Sequence, residues 1–405
     1  MNKNKKILIV TECFYPEEFR INDIFFSWKD KGYEIDVLTL APTYPLGRIF
    51  PGYKNSIFKK EKFRDMNIYR VRAVTGYKDS PFKKILKYLN FMILGSICAI
   101  FIGRKYDYVF GFNMSALTNM LPAIIIKKIY KKPTTLWVQD IWPDSLYAYG
   151  FKKSKLFSTV VDSFIKFIYQ NTDSIAISCR GFKEKLSLYI KDNSLVFHYL
   201  PNWADELKNN SINKDDHHED EITNFTFAGN IGKLQNLENI IKAYGLLSDE
   251  YQKKSQFNII GDGSNLENLK RTAKDNSKIV FHGRKQSSMM ADYYAKSDFL
   301  IISLIGEPIF SSIVPSKTQT YIAAKKPILA IINGDTADIV RDNNLGLCAN
   351  PSNISEISRL LEKCIDMSKS ERKKFISQND YLLSTLFNRE EIIDSLLKIV
   401  TKRID

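Results

Sequence analysis

Phe225-Thr226-Phe227-Ala228-Gly229-Asn230-Ile231-Gly232 is the stretch on which the reading of this chain turns. An apolar run, Phe225–Ala228, ends on glycine, and a helical pattern is expected to begin near Leu234. Glycine lets the backbone turn tightly and come close to a ligand, and the helix start that follows offers free N–H groups to an anion. The spacing is not a full G-x-G-x-x-G, so this segment alone suits a structural turn as well as a phosphate site. The pattern recurs. Phe257–Ile260 runs into Gly261-Asp262-Gly263-Ser264, and Ile279–Phe281 runs into His282-Gly283-Arg284. Phe299–Ile302 and Ile328–Ile332 complete a set of short apolar runs separated by helical segments.

The same alternation fills the first half. Apolar runs at Ile7–Val10, Ile35–Leu40, Ile68–Val71, Tyr108–Phe112, Thr135–Val138 and Ile175–Ser178 alternate with helix-like stretches near 18–31, 82–103, 115–130, 155–170 and 181–191. Buried strands alternating with helices predict parallel, doubly wound sheets. The alternation stops over 204–222, a polar stretch containing Asn209-Asn210-Ser211 and Asp215-Asp216-His217-His218. The expected organisation is therefore a Rossmann-like domain over 1–203, a linker over 204–222 and a second Rossmann-like domain over 223–384, the two facing a cleft. Ligands of such sheets sit beyond the C-terminal ends of the strands.

Charge is lopsided. Residues 1–200 hold 32 Lys and Arg against 17 Asp and Glu, whereas 201–405 hold 27 against 28. An anionic partner is expected for the first half, either nucleic acid or an anionic membrane. The stretch Phe82-Lys83-Lys84-Ile85-Leu86-Lys87 begins basic and amphipathic, Leu89 to Ile102 is nearly all apolar, and Arg104-Lys105 closes it. That core is short of the roughly 20 residues a spanning helix needs. It fits a helix buried beside the sheet or one lying in a membrane interface, and both hold if one face is exposed. Five scattered cysteines without a C-x-x-C pair read as reduced thiols, and Ile7–Val10 is too short for a signal peptide. The chain is expected in the cytoplasm, peripheral on the inner face of the cell membrane.

The second half carries the sharpest chemical signal, Val314-Pro315-Ser316-Lys317-Thr318-Gln319-Thr320-Tyr321 through Pro327. Pro315 suits a first helical position, with Ser316 and Lys317 in the first turn. A cation there opposes the helix dipole unless an anion such as a diphosphate lies at that end. In the first half, Trp137-Val138-Gln139-Asp140-Ile141-Trp142-Pro143-Asp144 sets two tryptophans and two carboxylates after a strand, a combination suited to sugar. Phe14-Tyr15-Pro16-Glu17-Glu18-Phe19-Arg20-Ile21-Asn22-Asp23 and Asn113 also follow strands. The four histidines lack metal-ligand spacing, and there is no GxxxxGK[ST] loop and no Asp-x-Asp at a strand end, so no metal is expected.

Together these segments resemble the retaining glycosyltransferases of family four, with the GT-B fold, and within them the group from bacterial capsule, O-antigen and exopolysaccharide clusters that includes fucosamine-type transferases. The stretches that carry the resemblance are Phe14 to Glu17, Pro42-Thr43-Tyr44-Pro45-Leu46-Gly47, Trp137 to Asp144, Ala228 to Gly232 with Gln235, Gly261-Asp262-Gly263, and Pro315-Ser316-Lys317 through Pro327. The resemblance implies a nucleotide sugar, most often a UDP-sugar, bound by the second domain, and a lipid-linked or growing glycan bound by the first. It implies a last helix, about 385–405, returning to the first domain, and leaving-group charge neutralised without metal or other cofactor. Carried onto this sequence, Lys317, Asp140 and Glu307 are the candidate catalytic residues. Gly229, Asn230, Gly232, Gln235, Gly261, Gly263, Arg284, Pro315, Ser316 and Thr320 are candidates for the donor, and Glu17, Arg20, Asp23, Asn113, Trp142 and Asp144 for the acceptor.

Two departures bear on mechanism. The E-x7-E pair of many members falls here on Ser312 and Thr320, with Glu307 the nearest carboxylate to stand in for the first Glu. The usual Arg and Lys after the first glycine are replaced by Asn230 and Gln235, leaving Lys317, helix N-termini and Arg284 to meet the diphosphate. Three other readings stay open: a nucleotide-sugar epimerase, a non-catalytic member that binds nucleotide sugar or a partner, and a nucleic-acid binder. The last has charge in its favour but no recognisable reading motif, and no nucleic-acid partner is expected.

Overall fold

The computed structural model describes residues 5–77, 80–143, 154–190, 195–204, 222–274 and 276–402. The chain divides into two compact units. The first is Met1–Leu200 with Glu390–Asp405, and the second is Pro201–Arg389.

The strands of the first unit are β1 (Lys6–Thr11), β2 (Glu34–Leu40), β3 (Phe58–Phe63), β4 (Met66–Val71), β5 (Tyr108–Asn113), β6 (Thr134–Val138), β7 (Ser174–Ile177) and β8 (Phe197–Tyr199). They form one sheet in the order β3-β4-β2-β1-β5-β6-β7-β8. Every neighbouring pair is parallel except β3 with β4. Ile7, Leu8, Ile9 and Val10 are fully buried, as expected for a central strand covered on both faces. The sequence pattern misses β3, because Phe-Lys-Lys-Glu-Lys-Phe is charged at its four middle positions rather than running apolar, and only its exposure alternates. It also misses the three-residue edge strand β8.

The second unit contains β9 (Thr223–Ala228), β10 (Ser255–Ile260), β11 (Ile279–Gly283), β12 (Phe299–Ser303), β13 (Ile328–Ile331) and β14 (Gly346–Ala349). Their order is β11-β10-β9-β12-β13-β14, all parallel. Strand β14 is a further short edge the sequence does not announce. After β9 the expected helix does not start at Leu234. A 3-10 turn, Lys233–Gln235, comes first, and Asn236 in a left-handed conformation leads into the helix Leu237–Tyr244. In each sheet the chain reverses its course beside a central strand, between β1 and β5 in the first and between β9 and β12 in the second. Such reversals splay the following loops and open a crevice at the C-terminal strand ends.

The closing helix, Arg389–Thr401, packs within the first unit. Ile393 O accepts from Trp28 Nε1 at 3.1 Å, and Lys31 pairs with Asp394. The stretch expected to be a linker lies for the most part, over 205–221, outside the described residues.

The helix Pro81–Ile102 is capped by Ser80, whose side chain accepts from Lys83 N. One face, including Lys87, Phe91, Ala99 and Ile102, is buried against the sheet. The opposite face leaves Phe82, Ile85, Leu89, Ile93, Ile97 and Phe101 exposed, Ile93 at 53% and Phe101 at 77%. This is the one helix among the described residues long and apolar enough to cross a membrane by length and composition.

Candidate functional site

The second unit gathers its candidates at the C-terminal end of β9. Gly229 follows the strand at φ 141°. A side chain there would place its Cβ 2.7 Å from Lys317 Cε, so glycine is what lets the lysine lie across the strand end. Lys317 opens the helix Lys317–Ala323, and Tyr321 on that helix accepts at its hydroxyl from Ala228 N at 3.2 Å, fixing the helix to the end of β9. Pro315 is thus two residues before the helix rather than its first residue, and Ser316 is the N-cap without a side-chain capping bond.

Lys317 Nζ lies 3.6 Å from the centroid of the Phe227 ring and donates to Gln235 Oε1 at 2.7 Å. Among the described residues it has no carboxylate partner. Burial pushes its amine down to about 7, because removal from water disfavours the charged form. Two buried hydroxyls, Ser303 Oγ at the end of β12 and Thr318 Oγ1 next along the helix, lack hydrogen-bond partners among the described residues. The 3-10 turn carrying Gln235 is tied to the β12 loop by Ile305 N donating to Leu234 O at 3.0 Å. The cluster therefore stands at the β9–β12 reversal. A lone lysine with a falling amine pKa, facing a glycine, is chemically suited to receive an anion.

The other glycines act one layer back. Gly261, at φ 141°, would put a Cβ 1.8 Å from Gly229 O, and Gly263 would put one 2.4 Å from Ile231 O. Ile231 N donates to Asp262 O, and Gly261 N to Gly283 O. Gly261 and Gly263 are thus required by the packing of one loop on the next, and they shape the site by supporting Gly229. Asn230 is exposed, with its amide over Gly232. Thr320 Oγ1 is occupied by Ser316 O at 3.1 Å. Arg284 and Glu307 are exposed and make no side-chain hydrogen bond or ion pair among the described residues. The Glu307 loop approaches the cluster through Ile305.

In the first unit the strand-end residues sort differently. Glu17 is buried, and its carboxylate accepts from Phe14 N (3.2 Å), Thr43 N (2.8 Å) and Tyr44 N (2.6 Å). It holds the 14–17 turn against the 42–47 loop, so a role in gripping an acceptor is corrected to a structural one. Trp142 is buried edge-on to Tyr88, and Trp137 is fully buried with Nε1 donating to Leu200 O. Neither indole face is free to stack on a sugar. Asp140 is half-buried and accepts from Ile141 N at 2.9 Å. Arg20 and Asp23 stand in the first turn of the helix Arg20–Asp30, and Asp144 lies outside the described residues. Asn113 ends β5, buried, with neither amide atom hydrogen-bonded among the described residues.

Beside Asn113 in the sheet order is a cluster the sequence reading missed. Glu12, just past β1, is buried and paired with Lys87 of the helix Pro81–Ile102. Its other oxygen accepts from Ser115 and from Asn119 Nδ2 at 2.7 Å, and the Tyr77 ring lies 4.3 Å from Lys87 Nζ. The available signal was Glu12 directly after a buried strand at the reversal point. Lys87 looked like one more cation at the start of a basic helix.

Comparison with known proteins places this geometry. Residues 223–367 match the family model "Glycosyl transferases group 1". The probable glycosyltransferase WbjE of Pseudomonas aeruginosa is 28% identical over 280 residues, 66% of this chain and 68% of that protein. The putative colanic acid biosynthesis glycosyl transferase WcaI of Escherichia coli K12 is 23% identical over 60% of this chain, which spans 61% of that protein's length. Among solved structures, the E. coli trehalose-6-phosphate structure bound with UDP-2-fluoro glucose superposes with a TM-score of 0.72 at 10% identity, covering 99% of this chain and 100% of that one. The Anabaena Alr3699/HepE structure in complex with UDP and glucose gives 0.64 at 11% identity, covering 99% and 100%. At such identities the structures speak for the fold, which is GT-B. Residues 223–367, within the second unit, thus match a glycosyl transferases group 1 domain, and the chain has the GT-B fold.

Proposed function

We propose that the protein transfers a sugar from a nucleotide-sugar donor, a UDP-sugar, to a lipid-linked or growing glycan in surface-polysaccharide assembly, with retention at the anomeric carbon. The observation that carries this reading is Lys317: a buried amine without a carboxylate partner among the described residues, set against Gly229 at the strand reversal of the family domain. WcaI is named for colanic acid biosynthesis, and the two structural neighbours hold UDP-2-fluoro glucose and UDP with glucose, which supports the substrate classes. In the transfer, the bond from the anomeric carbon to the diphosphate oxygen breaks and negative charge collects on the diphosphate. Lys317 and N–H groups after Gly229 stabilise that charge without a metal. The acceptor hydroxyl attacks the same face, and its proton passes to the departing phosphate oxygen. Asp140 orients the hydroxyl. Thermal unfolding with a panel of nucleotide sugars, with and without EDTA, tests the donor site. A ligand at 100 times its dissociation constant stabilises by about 2.7 kcal/mol. One nucleotide family should do so with EDTA present, and silence across the panel overturns the reading.

The exposed stripe on the helix Pro81–Ile102 and the basic first half support a place on the cytoplasmic membrane face. Replacing Ile93 and Phe101 together by Glu is expected to weaken binding to anionic liposomes by about tenfold or more, since each exposed apolar side chain contributes about 1 kcal/mol on entering lipid. The donor-induced thermal shift should be unchanged. Binding that survives the double substitution, or that prefers DNA to anionic liposomes, removes the helix from this role.

A further inference from the structure

A cavity of about 640 Å³ opens at the other end of the second unit's sheet. Its walls include Thr223 at the start of β9, Asp298 just before β12 and Pro327 just before β13. These three strands are parallel neighbours, so the cavity lies at their N-terminal edge. The Lys317 cluster lies at their C-terminal edge. Six residues of β9 separate the two, roughly 20 Å at the usual rise of a strand. A nucleotide sugar at Lys317 does not occupy this space.

The lining is strongly basic. Lys296, Lys326, Arg372 and Lys373 face one carboxylate, Asp298, among the described lining residues, while Lys369, also in the lining, is already engaged in an interaction of its own. That carboxylate is already used, since Arg372 Nη1 donates to Asp298 Oδ1 at 2.7 Å. Arg372 Nη2 donates to Thr223 Oγ1 at 2.9 Å, and its guanidinium lies 5.4 Å from the Phe299 ring. Arg372 Nε is buried with no partner among the described residues. Lys326 is half-buried and donates to Ala295 O at 2.6 Å, with no carboxylate in ion-pair range among the described residues. Lys296 and Lys373 also form no ion pair among them. Cations gathered around a concave space repel one another, and burial adds the cost of lost hydration. A bound anion relieves both. Lysine ammonium groups are point charges that suit a phosphate, and the volume is in the range of small-molecule sites, leaving room for an organic group on the phosphate.

We propose that this cavity binds a phosphate-bearing small molecule, at a site separate from the sugar donor. The helix Lys317–Ala323 has the donor-side lysine at its start, and Lys326 follows three residues past its end. The two sites are thus joined by this helix and the turn that follows it.

The test is calorimetric titration of the full chain with inorganic phosphate and with glycerol 3-phosphate, alongside flotation with phosphatidic acid vesicles. Wild type, Lys317→Ala, and Lys296→Gln combined with Lys373→Gln are compared. The last pair is exposed and is expected to keep its thermal midpoint and sugar transfer. Saturable binding that persists in Lys317→Ala and falls by about tenfold or more in the double variant supports the site, as expected for the loss of charged hydrogen bonds. Vesicle binding with the same variant pattern, but no binding of the soluble esters, assigns the phosphate to a lipid headgroup. Binding lost in Lys317→Ala and kept in the double variant overturns the proposal, because the phosphate then sits in the donor site. Binding that emerges only when Asp215, Asp216, Glu219, Asp220 and Glu221 are neutralised also overturns it, by giving the cavity to the chain's own acidic stretch. Absence of any saturable binding overturns it as well.

Discussion

Lys317→Ala is expected to slow sugar transfer by about 10²–10³-fold, the usual loss when one preorganised donor to a developing negative charge is removed. The fold should survive. Among the described residues Lys317 has no ion-pair partner to strand, and its removal takes a costly amine out of a buried position. The pH behaviour separates this role from a packing role. In the free protein, burial holds the amine at about 7, against 10.5 for an ordinary lysine. Between those values the unfolded chain binds a proton that the folded chain does not. Stability from this group therefore rises with pH across that window, and below about pH 7 its penalty is complete. A diphosphate beside the amine favours the ammonium form. Binding a nucleotide sugar, whose phosphates do not titrate here, should take up close to one proton at about pH 8.5 and almost none at about pH 6. Calorimetry in two buffers of different ionisation heat measures this uptake. Lys317→Ala should abolish both the uptake and most of the rate, and near-normal turnover in that variant would sink the assignment.

What the sequence reveals here follows from burial. Strands such as β1 and β12, covered on both faces, must be apolar at nearly every position and stand out as runs. Edge strands escape, because β3 is charged at its four middle positions and β8 has three residues in all. The meeting of Lys317, Gly229 and Gln235 was legible for a related reason. A glycine ending a buried strand and a lysine starting a helix are each locally costly, and topology sets both beside the same strand end. In the first unit, position past a strand was a poorer guide. It places the backbone but not the direction of the side chain. Glu17 turns inward to three backbone N–H groups, and Trp142 packs on Tyr88. Glu12 depends on a lysine far along the chain, a contact that no local pattern contains.

That pair gives the largest expected effect on stability. Lys87→Met should destabilise the first unit by about 3–5 kcal/mol, because it leaves the Glu12 carboxylate buried without its counter-charge. Ser115 and Asn119 still donate to Glu12, yet two neutral donors do not replace an ammonium group. Adding Glu12→Gln to Lys87→Met should recover most of the loss, since apolar or neutral replacements of both partners are often tolerated where single ones are not. Burial draws the Lys87 amine down, but the Glu12 charge outweighs it and holds the amine above its ordinary 10.5. Stability from a raised amine is fully present below 10.5 and is lost only as pH climbs through the folded value. The variant's deficit should therefore be constant between about pH 6 and 9 and shrink in stronger alkali. Denaturant unfolding of the full chain across that range reads it out. A loss below about 1 kcal/mol would place the pair in the class of water-screened ion pairs, and the polar cluster at the β1–β5 reversal would then have to be held by Asn119 and Ser115 rather than by charge.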